Sequence, residues 1–472
     1  MLAAMAARRV SARELLDAHL RRNDEIAGRI NCVTERDVEN ARRTASAIDE
    51  ARAKGALLGA LAGLPMTIKD GFDVTGLPAV AGNSAFRNRP KTCADADIVA
   101  RAKSQGAVVW GKTNVPFMLG DFQSYNSVFG TTNNPYDFSR TPGGSSGGAA
   151  AALAAGVTPL EIGSDIGGSL RHPASFCGVF ALKPTWGVLP QRGHVPPLPD
   201  RFVEVDLQVT GPMARNAGDL RLLWNVLRGN AGCERKAVRG ARVLLWDEEP
   251  GFPLAREVRD GVRRAGKALE QQGIAVERGA LPFGGDELLR TYLDLLVPIM
   301  AAGFPDALYN SFLEGRAADF AALNDGAGPL SAAAYRVRAT ASYRDILRAM
   351  TVRQAMKDKF AAMFDSGIAA VLCPLDPVVA FRHAQDLPPT ERSIDVDGAD
   401  VPYMSLLAWI ALATALHNPA MAVPVGRNAE GLPIGVQLVG RWNGEDRLFD
   451  LAAALEDELG GFTAPPLQEN WQ

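Results

Sequence analysis

Ser11 and Glu14 bracket the start of a stretch in which Leu15, Leu16, His19 and Leu20 share one face at helical spacing. A Ser-x-x-Glu pair ahead of an apolar run is a capping box: the serine oxygen accepts a free N–H of the first turn and the glutamate accepts the N–H of the cap residue. A helix is expected here, with His19 as a structural residue at the edge of its apolar face. The apolar run 64–68 reads as a strand that ends at Lys69-Asp70-Gly71, residues 97–105 as a helix, and 107–110 as a second buried strand.

Between 130 and 180 glycine and other small residues dominate, and helical spacing is visible only over 149–155. Such a composition reads either as flexible linker or as backbone held for chemistry. Farther on, a strand over 243–246 is followed by a helix with Val258, Val262, Ala265 and Leu269 on one face, then by a strand over 274–276. That β-α-β succession predicts a sheet with parallel strands. Segments 368–373 and 434–439 add further strands. The longest apolar stretch, 404–416, includes Ser405 and Thr414 and stops at His417, short of the ~20 residues that span a bilayer. It reads as a buried core helix, and no membrane is expected as a partner. With no internal repeat and no linker, the whole of 1–472 reads as one α/β domain.

Composition changes this picture little. At 472 residues with 47% apolar, the chain has ample material for a large core. Acids (53) slightly outnumber bases (50), and the bases are scattered, so nucleic acid is not an expected partner. Cys32, Cys93, Cys177, Cys233 and Cys373 are far apart and form no CxxC pair. They predict neither a metal site nor a disulfide framework, but reduced thiols in a cytoplasmic protein. The first 30 residues carry Arg8, Arg9, Arg13, Glu14 and Asp17 without an apolar core, so no signal peptide is expected. No cofactor is expected.

Three motifs compete for the chemistry. Gly106-Ala-Val-Val-Trp-Gly111-Lys112-Thr113 matches the phosphate-cradling P-loop pattern. Its context is wrong, because the middle of the motif is itself a strand and Asn114-Val115-Pro116 blocks the helix that should follow. Gly143-Gly-Ser145-Ser-Gly147 matches the nucleophile-elbow pattern, with His194, His383 and His417 available downstream, but turn-rich sequence stands where a feeding strand should be. The third candidate is a constellation: Pro142-Gly-Gly-Ser145-Ser-Gly-Gly148 followed by Gly163-Ser-Asp165-Ile-Gly-Gly-Ser169-Leu-Arg171. Glycines just before Ser169 let successive backbone N–H groups turn toward one point, which suits an oxyanion hole.

These runs resemble the amidase signature family. The likeness covers Leu64-Pro-Met-Thr-Ile-Lys69-Asp70, Gly111-Lys-Thr-Asn114, the two glycine–serine runs and Leu182-Lys183-Pro184-Thr185, with a weaker match over 423–426 and 431–440. The resemblance implies a large mixed β-sheet sandwiched between helices, with 60–190 as the signature core and 230–400 as a variable, substrate-selecting region. It implies Ser169 as nucleophile, Ser145 as a bridging serine after a cis peptide bond, and Lys69 as general base. The N–H groups of Ile166, Gly167, Gly168 and Ser169 would form the oxyanion hole, with Ser146, Asp165 and Arg171 holding the loops. A lysine serves as base near neutrality only if burial lowers its pKa from the usual ~10.4. Arg171 reads either as a structural clamp or as a contact for a substrate carboxylate. His172 reads as packing near the loop.

The substrate expected is a small-molecule amide, anilide or carbamate, hydrolysed by a monomer or homodimer. Selectivity is expected from 117–126, 283–320 and 404–409, with Phe122, Gln123, Tyr125 and Trp409 lining a pocket for an aryl or apolar group. Two departures stand out. The segment Thr414-Ala-Leu-His417-Asn-Pro-Ala420 stands where the family often shows Asn-x-Thr-Gly-x-Pro-Ala, and 121–126 lacks the Met-Gly-Ser associated with the ammonia-generating component of glutamine-tRNA amidotransferases. A transamidase component of that type and an elbow esterase remain the alternative functions.

Overall fold

The structure, a computed structural model, describes residues 1–88, 94–196, 203–230, 232 and 234–467. Three strands, β1 (Val33–Arg36), β2 (Pro65–Lys69) and β3 (Val108–Thr113), form a small sheet in the order β1-β3-β2. β2 runs parallel to β3 and β1 antiparallel to it. β3 extends past the expected end at Trp110 through Gly111-Lys112-Thr113, and all six of its residues are buried. A short hairpin, β4 (Tyr125–Asn126) and β5 (Gly130–Thr131), follows.

The main sheet has eight strands. They are β6 (Leu160–Asp165), β7 (Phe180–Lys183), β8 (Val209–Ala214), β9 (Arg242–Leu245), β10 (Ala275–Arg278), β11 (Ile368–Pro374), β14 (Ala420–Arg427) and β15 (Pro433–Gly440), with a separate hairpin of β12 (Ser393–Val396) and β13 (Ala399–Pro402). The spatial order is β10-β9-β11-β15-β14-β7-β8-β6. β10, β9 and β11 are mutually parallel, and every later pairing is antiparallel. The sheet is therefore mixed, as the α/β class expected, with helices packed against it.

Local signals account for much of this. Ser11 and Glu14 form both halves of the capping box on the helix Ala12–Ile30. The helix Arg256–Gln271 buries Val258, Val262, Ala265 and Leu269 and links the parallel strands β9 and β10. His19 is buried, its Nδ1 against the carbonyls of Gly156 and Val157. The 404–416 stretch becomes a 3₁₀ turn, Tyr403–Leu406, and the helix Leu407–Ala415, whose nine residues are all buried. Among the described residues no helix is long and apolar enough to cross a membrane. Cys32, Cys177 and Cys373 are buried free thiols; Cys93 and Cys233 lie outside the described residues.

Candidate active site

β2 ends in Lys69, which is fully buried. Its Nζ lies 2.7 Å from Ser145 Oγ, 2.9 Å from Ser164 Oγ and 3.3 Å from the Ser164 carbonyl. Burial pushes its pKa down from the ordinary lysine value to about 7, against the opposing pull of the Asp165 and Glu161 carboxylates. Glu161 is itself pushed up to about 8 by burial, and accepts a hydrogen bond from Thr67 Oγ1 at 2.5 Å.

Ser145 follows a cis peptide bond from Gly144 and stands at the entry to the helix Gly147–Ala154. That helix starts close against β3: a Cβ on Gly148 would sit 2.3 Å from the Asn114 nitrogen, so only glycine fits. The backbone N–H of Ser146 donates to the Ser169 carbonyl at 3.1 Å, tying the two serine loops together.

The elbow reading finds no support in this geometry. No strand feeds Ser145, and among the described residues the group beside Ser145 Oγ is a lysine and not a histidine. The P-loop reading fails as well. Lys112 is buried in β3 and spent on the carbonyls of Phe72 and Pro78 and on Asp70, 3.1 Å away.

The loop 165–171 corrects one expectation. The N–H of Gly168 donates to Asp165 Oδ1 at 2.9 Å and that of Leu170 to Oδ2 at 3.1 Å, so Gly168 is not a free oxyanion donor. The carboxylate turns back on its own loop and takes the amide that the family pattern assigns to substrate. Gly168 instead contributes its shape: its φ is +90°, and a Cβ there would lie 2.1 Å from His172 Nε2. The carbonyls of this loop are held individually. Ile166 O accepts from the Tyr292 hydroxyl at 2.6 Å, Gly167 O from His172 Nε2 at 3.0 Å, and Gly168 O from the His172 N–H at 2.7 Å. Asp376 pairs with His172 Nδ1 from the other side.

Arg171 has all five N–H groups engaged. They meet both Asp165 oxygens at 3.0 Å, the Ile410 carbonyl, Gln437 Oε1 and Thr414 Oγ1. It is a structural clamp, and none of its donors is left for a substrate. Asp165 is held far below the usual carboxylate range: burial opposes this, and the Arg171 guanidinium outweighs it. Among the described residues no cluster of three or more His, Cys, Asp or Glu side chains is placed to hold a metal ion.

The family model for Amidase matches residues 14–449. The chain belongs to the amidase signature family. It is 34% identical over 456 residues to the 1-carboxybiuret hydrolase subunit of Pseudomonas sp. (strain ADP), covering 93% of both chains. It is 30% identical over 495 residues to the A-type component of the glutamyl-tRNA(Gln) amidotransferase of Alkaliphilus metalliredigens (strain QYMF), covering 97% of this chain and 95% of that one. The inhibitor-bound structure of a vestigial protein complex, solved in tracing the origins of an s-triazine catabolic enzyme, superposes with a TM-score of 0.80 at 30% identity, covering 98% of each chain. As an amidase signature enzyme, the chain acts on C–N bonds.

Within this amidase the expected pocket residues divide. Phe122 faces the loop: its ring edge, the Tyr292 hydroxyl and a Leu407 methyl are what a Cβ on Gly167 would meet, at 3.6–3.9 Å. Gln123 is buried and spent on both backbone groups of Ala384. Tyr125 donates to Asp121 and accepts from Arg392, in a network that also holds Tyr403. Trp409 lies elsewhere: it is fully buried against Trp246 and Phe252, with its Nε1 donating to the Pro253 carbonyl, and it borders a cavity that none of Phe122, Tyr292 and Leu407 lines. At the other departure, Thr414 serves Arg171, while His417 pairs with Asp206 and stacks on Trp186.

Tyr292 and Leu407 fall within 283–320 and 404–409, the segments expected to confer selectivity, though no motif singles out either by number. Ser164 lies inside the second glycine–serine run without a role assigned to it, and His194, known only as a residue downstream of the elbow pattern, reaches the site through long-range packing, which leaves no local signature.

Proposed function

We propose that this amidase hydrolyses an amide-type C–N bond of a small apolar or aryl substrate, an amide, anilide or carbamate, through an acyl-enzyme on Ser169. The observation that carries the reading is the 2.7 Å separation of a fully buried Lys69 Nζ from Ser145 Oγ, with the lysine pKa brought near neutrality by burial. Neutral Lys69 takes the Ser145 proton while Ser145 takes the proton of Ser169. The Ser169 oxygen bonds to the carbonyl carbon, and the resulting oxyanion is met by the N–H groups of Ile166, Gly167 and Ser169. The C–N bond breaks as the proton returns through Ser145 to the leaving nitrogen. Water then adds to the acyl carbon, its proton passes to the same relay, and Ser169 is released.

The substrate class is supported by what packs about Gly167: the Phe122 ring edge, a Leu407 methyl and the Tyr292 hydroxyl stand 3.6–3.9 Å from where its Cβ would lie, and two of the three are apolar. Tyr292 comes from 230–400, which supports reading that segment as the substrate-selecting part of a single domain. A second reading, the ammonia-generating component of a transamidase, is favoured by the likeness to the glutamyl-tRNA(Gln) amidotransferase chain.

The test compares a 4-nitroanilide, a primary amide, an aryl carbamate, an ester and glutamine on wild type and on Ser169→Ala. Hydrolysis of the anilide or carbamate that vanishes in Ser169→Ala is expected. Glutamine as the sole substrate would favour the transamidase, and activity surviving in Ser169→Ala would remove Ser169 as nucleophile.

A further inference from the structure

His194 lies beyond the motifs, yet it reaches the lysine. Its ring is buried, edge-on to Phe72 at 4.9 Å, with Nε2 2.8 Å from Ser164 Oγ and Nδ1 2.7 Å from the Pro196 carbonyl. A carbonyl can only accept, so Nδ1 carries the hydrogen. Gln208 Nε2 lies 3.2 Å from the same nitrogen and 3.2 Å from Gln191 Oε1, and with Nδ1 protonated only the Gln191 oxygen accepts from it. Burial and the nearby Lys69 hold the ring well below the usual histidine range, at about 3, so it bears one proton only. Nε2 is then a lone pair, and Ser164 must spend its one hydroxyl hydrogen on it. Ser164 Oγ is left as an acceptor toward Lys69 Nζ at 2.9 Å, and the Ser164 carbonyl is a second acceptor at 3.3 Å. An unprotonated lysine has two hydrogens and one lone pair. With both hydrogens drawn to Ser164, the lone pair faces Ser145 Oγ.

We propose that His194 is a positioning residue which, through Ser164, aims the lone pair of Lys69 at Ser145. The proposal rests on the triad reading above. Without the histidine, the Ser164 hydroxyl is free to turn its hydrogen onto the lysine lone pair and compete with Ser145.

The test follows the rate of Ser169 phosphonylation by a fluorophosphonate, and kcat/KM for a 4-nitroanilide, from pH 5 to 10. His194→Gln can place an amide oxygen near the position of Nε2 and keep the acceptor, whereas His194→Phe removes it. The plateau labelling rate is expected to fall roughly tenfold or more in His194→Phe, the scale of one misdirected hydrogen bond, and to be largely recovered in His194→Gln. KM should move less than about twofold. Wild-type rates in His194→Phe, or equal losses in both variants, would overturn the proposal. So would an acid limb displaced upward in His194→Phe, because that marks hydration of Lys69 and not a lost direction. A second measurement needs only the wild type: ¹⁵N spectra of histidine-labelled enzyme, with His194 assigned through its contact with the Phe72 ring, should show the Nδ1–H tautomer throughout pH 5–9. The Nε2–H tautomer would defeat the idea. Labelling that falls elsewhere than Ser169 would defeat the triad reading instead, and it leaves the tautomer result standing.

Discussion

The Tyr292 hydroxyl donates to the Ile166 carbonyl at 2.6 Å, from a helix 126 positions away in the chain. In a trans peptide the carbonyl and the following N–H point in opposite directions, so anchoring Ile166 O fixes where the Gly167 N–H aims. Tyr292→Phe keeps the ring and releases that carbonyl. We expect kcat/KM to fall about tenfold, mostly in kcat, with a loss of stability of about 1–2 kcal/mol for the buried unpaired group. Steady-state kinetics beside a urea melt checks this; unchanged kcat would mean the hydroxyl serves stability alone.

The pH profile follows from Lys69. The reaction needs its unprotonated form, so kcat/KM should rise with pH up to about 7 and level off above it. His194 stays neutral over the same range, since burial and the adjacent Lys69 lower it to about 3, and contributes no limb there. A pH series on a 4-nitroanilide should place the acid limb near neutrality. A limb below pH 5 would point to a different base.

Asp165 and Arg171 are both fully buried and joined by two 3.0 Å contacts. Arg171→Met should therefore cost about 3–5 kcal/mol, because it leaves the carboxylate buried without its counter-charge. Asp165 has its folded pKa depressed, so the pair's contribution is present above the unfolded value of 3.8 and fades only as pH falls through the depressed one. In Arg171→Met, burial without the counter-charge raises Asp165, so urea midpoints should show the full deficit at pH 7 and a smaller one at pH 4.5, where protonation relieves it; a deficit that grows as pH falls would count against this account.

Substrate preference should track Phe122 and Leu407, and not Trp409. Phe122→Ala is expected to lower kcat/KM for an aryl amide by about tenfold or more relative to acetamide, the worth of a lost apolar contact. Trp409→Phe should lower stability by about 1–3 kcal/mol and leave the order of substrates unchanged. Acetamide turned over as well as the aryl amide by wild type would defeat the apolar-pocket reading.

The sequence is most informative where local chemistry decides structure. The strand ending at Lys69, the capping box at Ser11 and the β9–helix–β10 unit follow from periodicity and cap residues. β6 escapes such a reading because Glu161, Gly163, Ser164 and Asp165 break the apolar pattern of a strand that is nonetheless buried at every residue. Trp409 is easily misplaced because the helix Leu407–Ala415 is apolar all round, so periodicity cannot say which side meets the pocket. The engagement of the Gly168 amide depends on the conformation of Asp165 three residues earlier, which spacing alone does not reveal.

The contacts around Lys69 also bear on how activity is acquired. Its two serine partners lie 76 and 95 positions along the chain, on elements outside the small sheet that carries the lysine. Each such closure costs chain entropy that no local segment can offset, so the relay assembles only once both sheets have docked. Turnover is then a readout of the complete native state, and a nascent or proteolysed chain carries the motif without the enzyme.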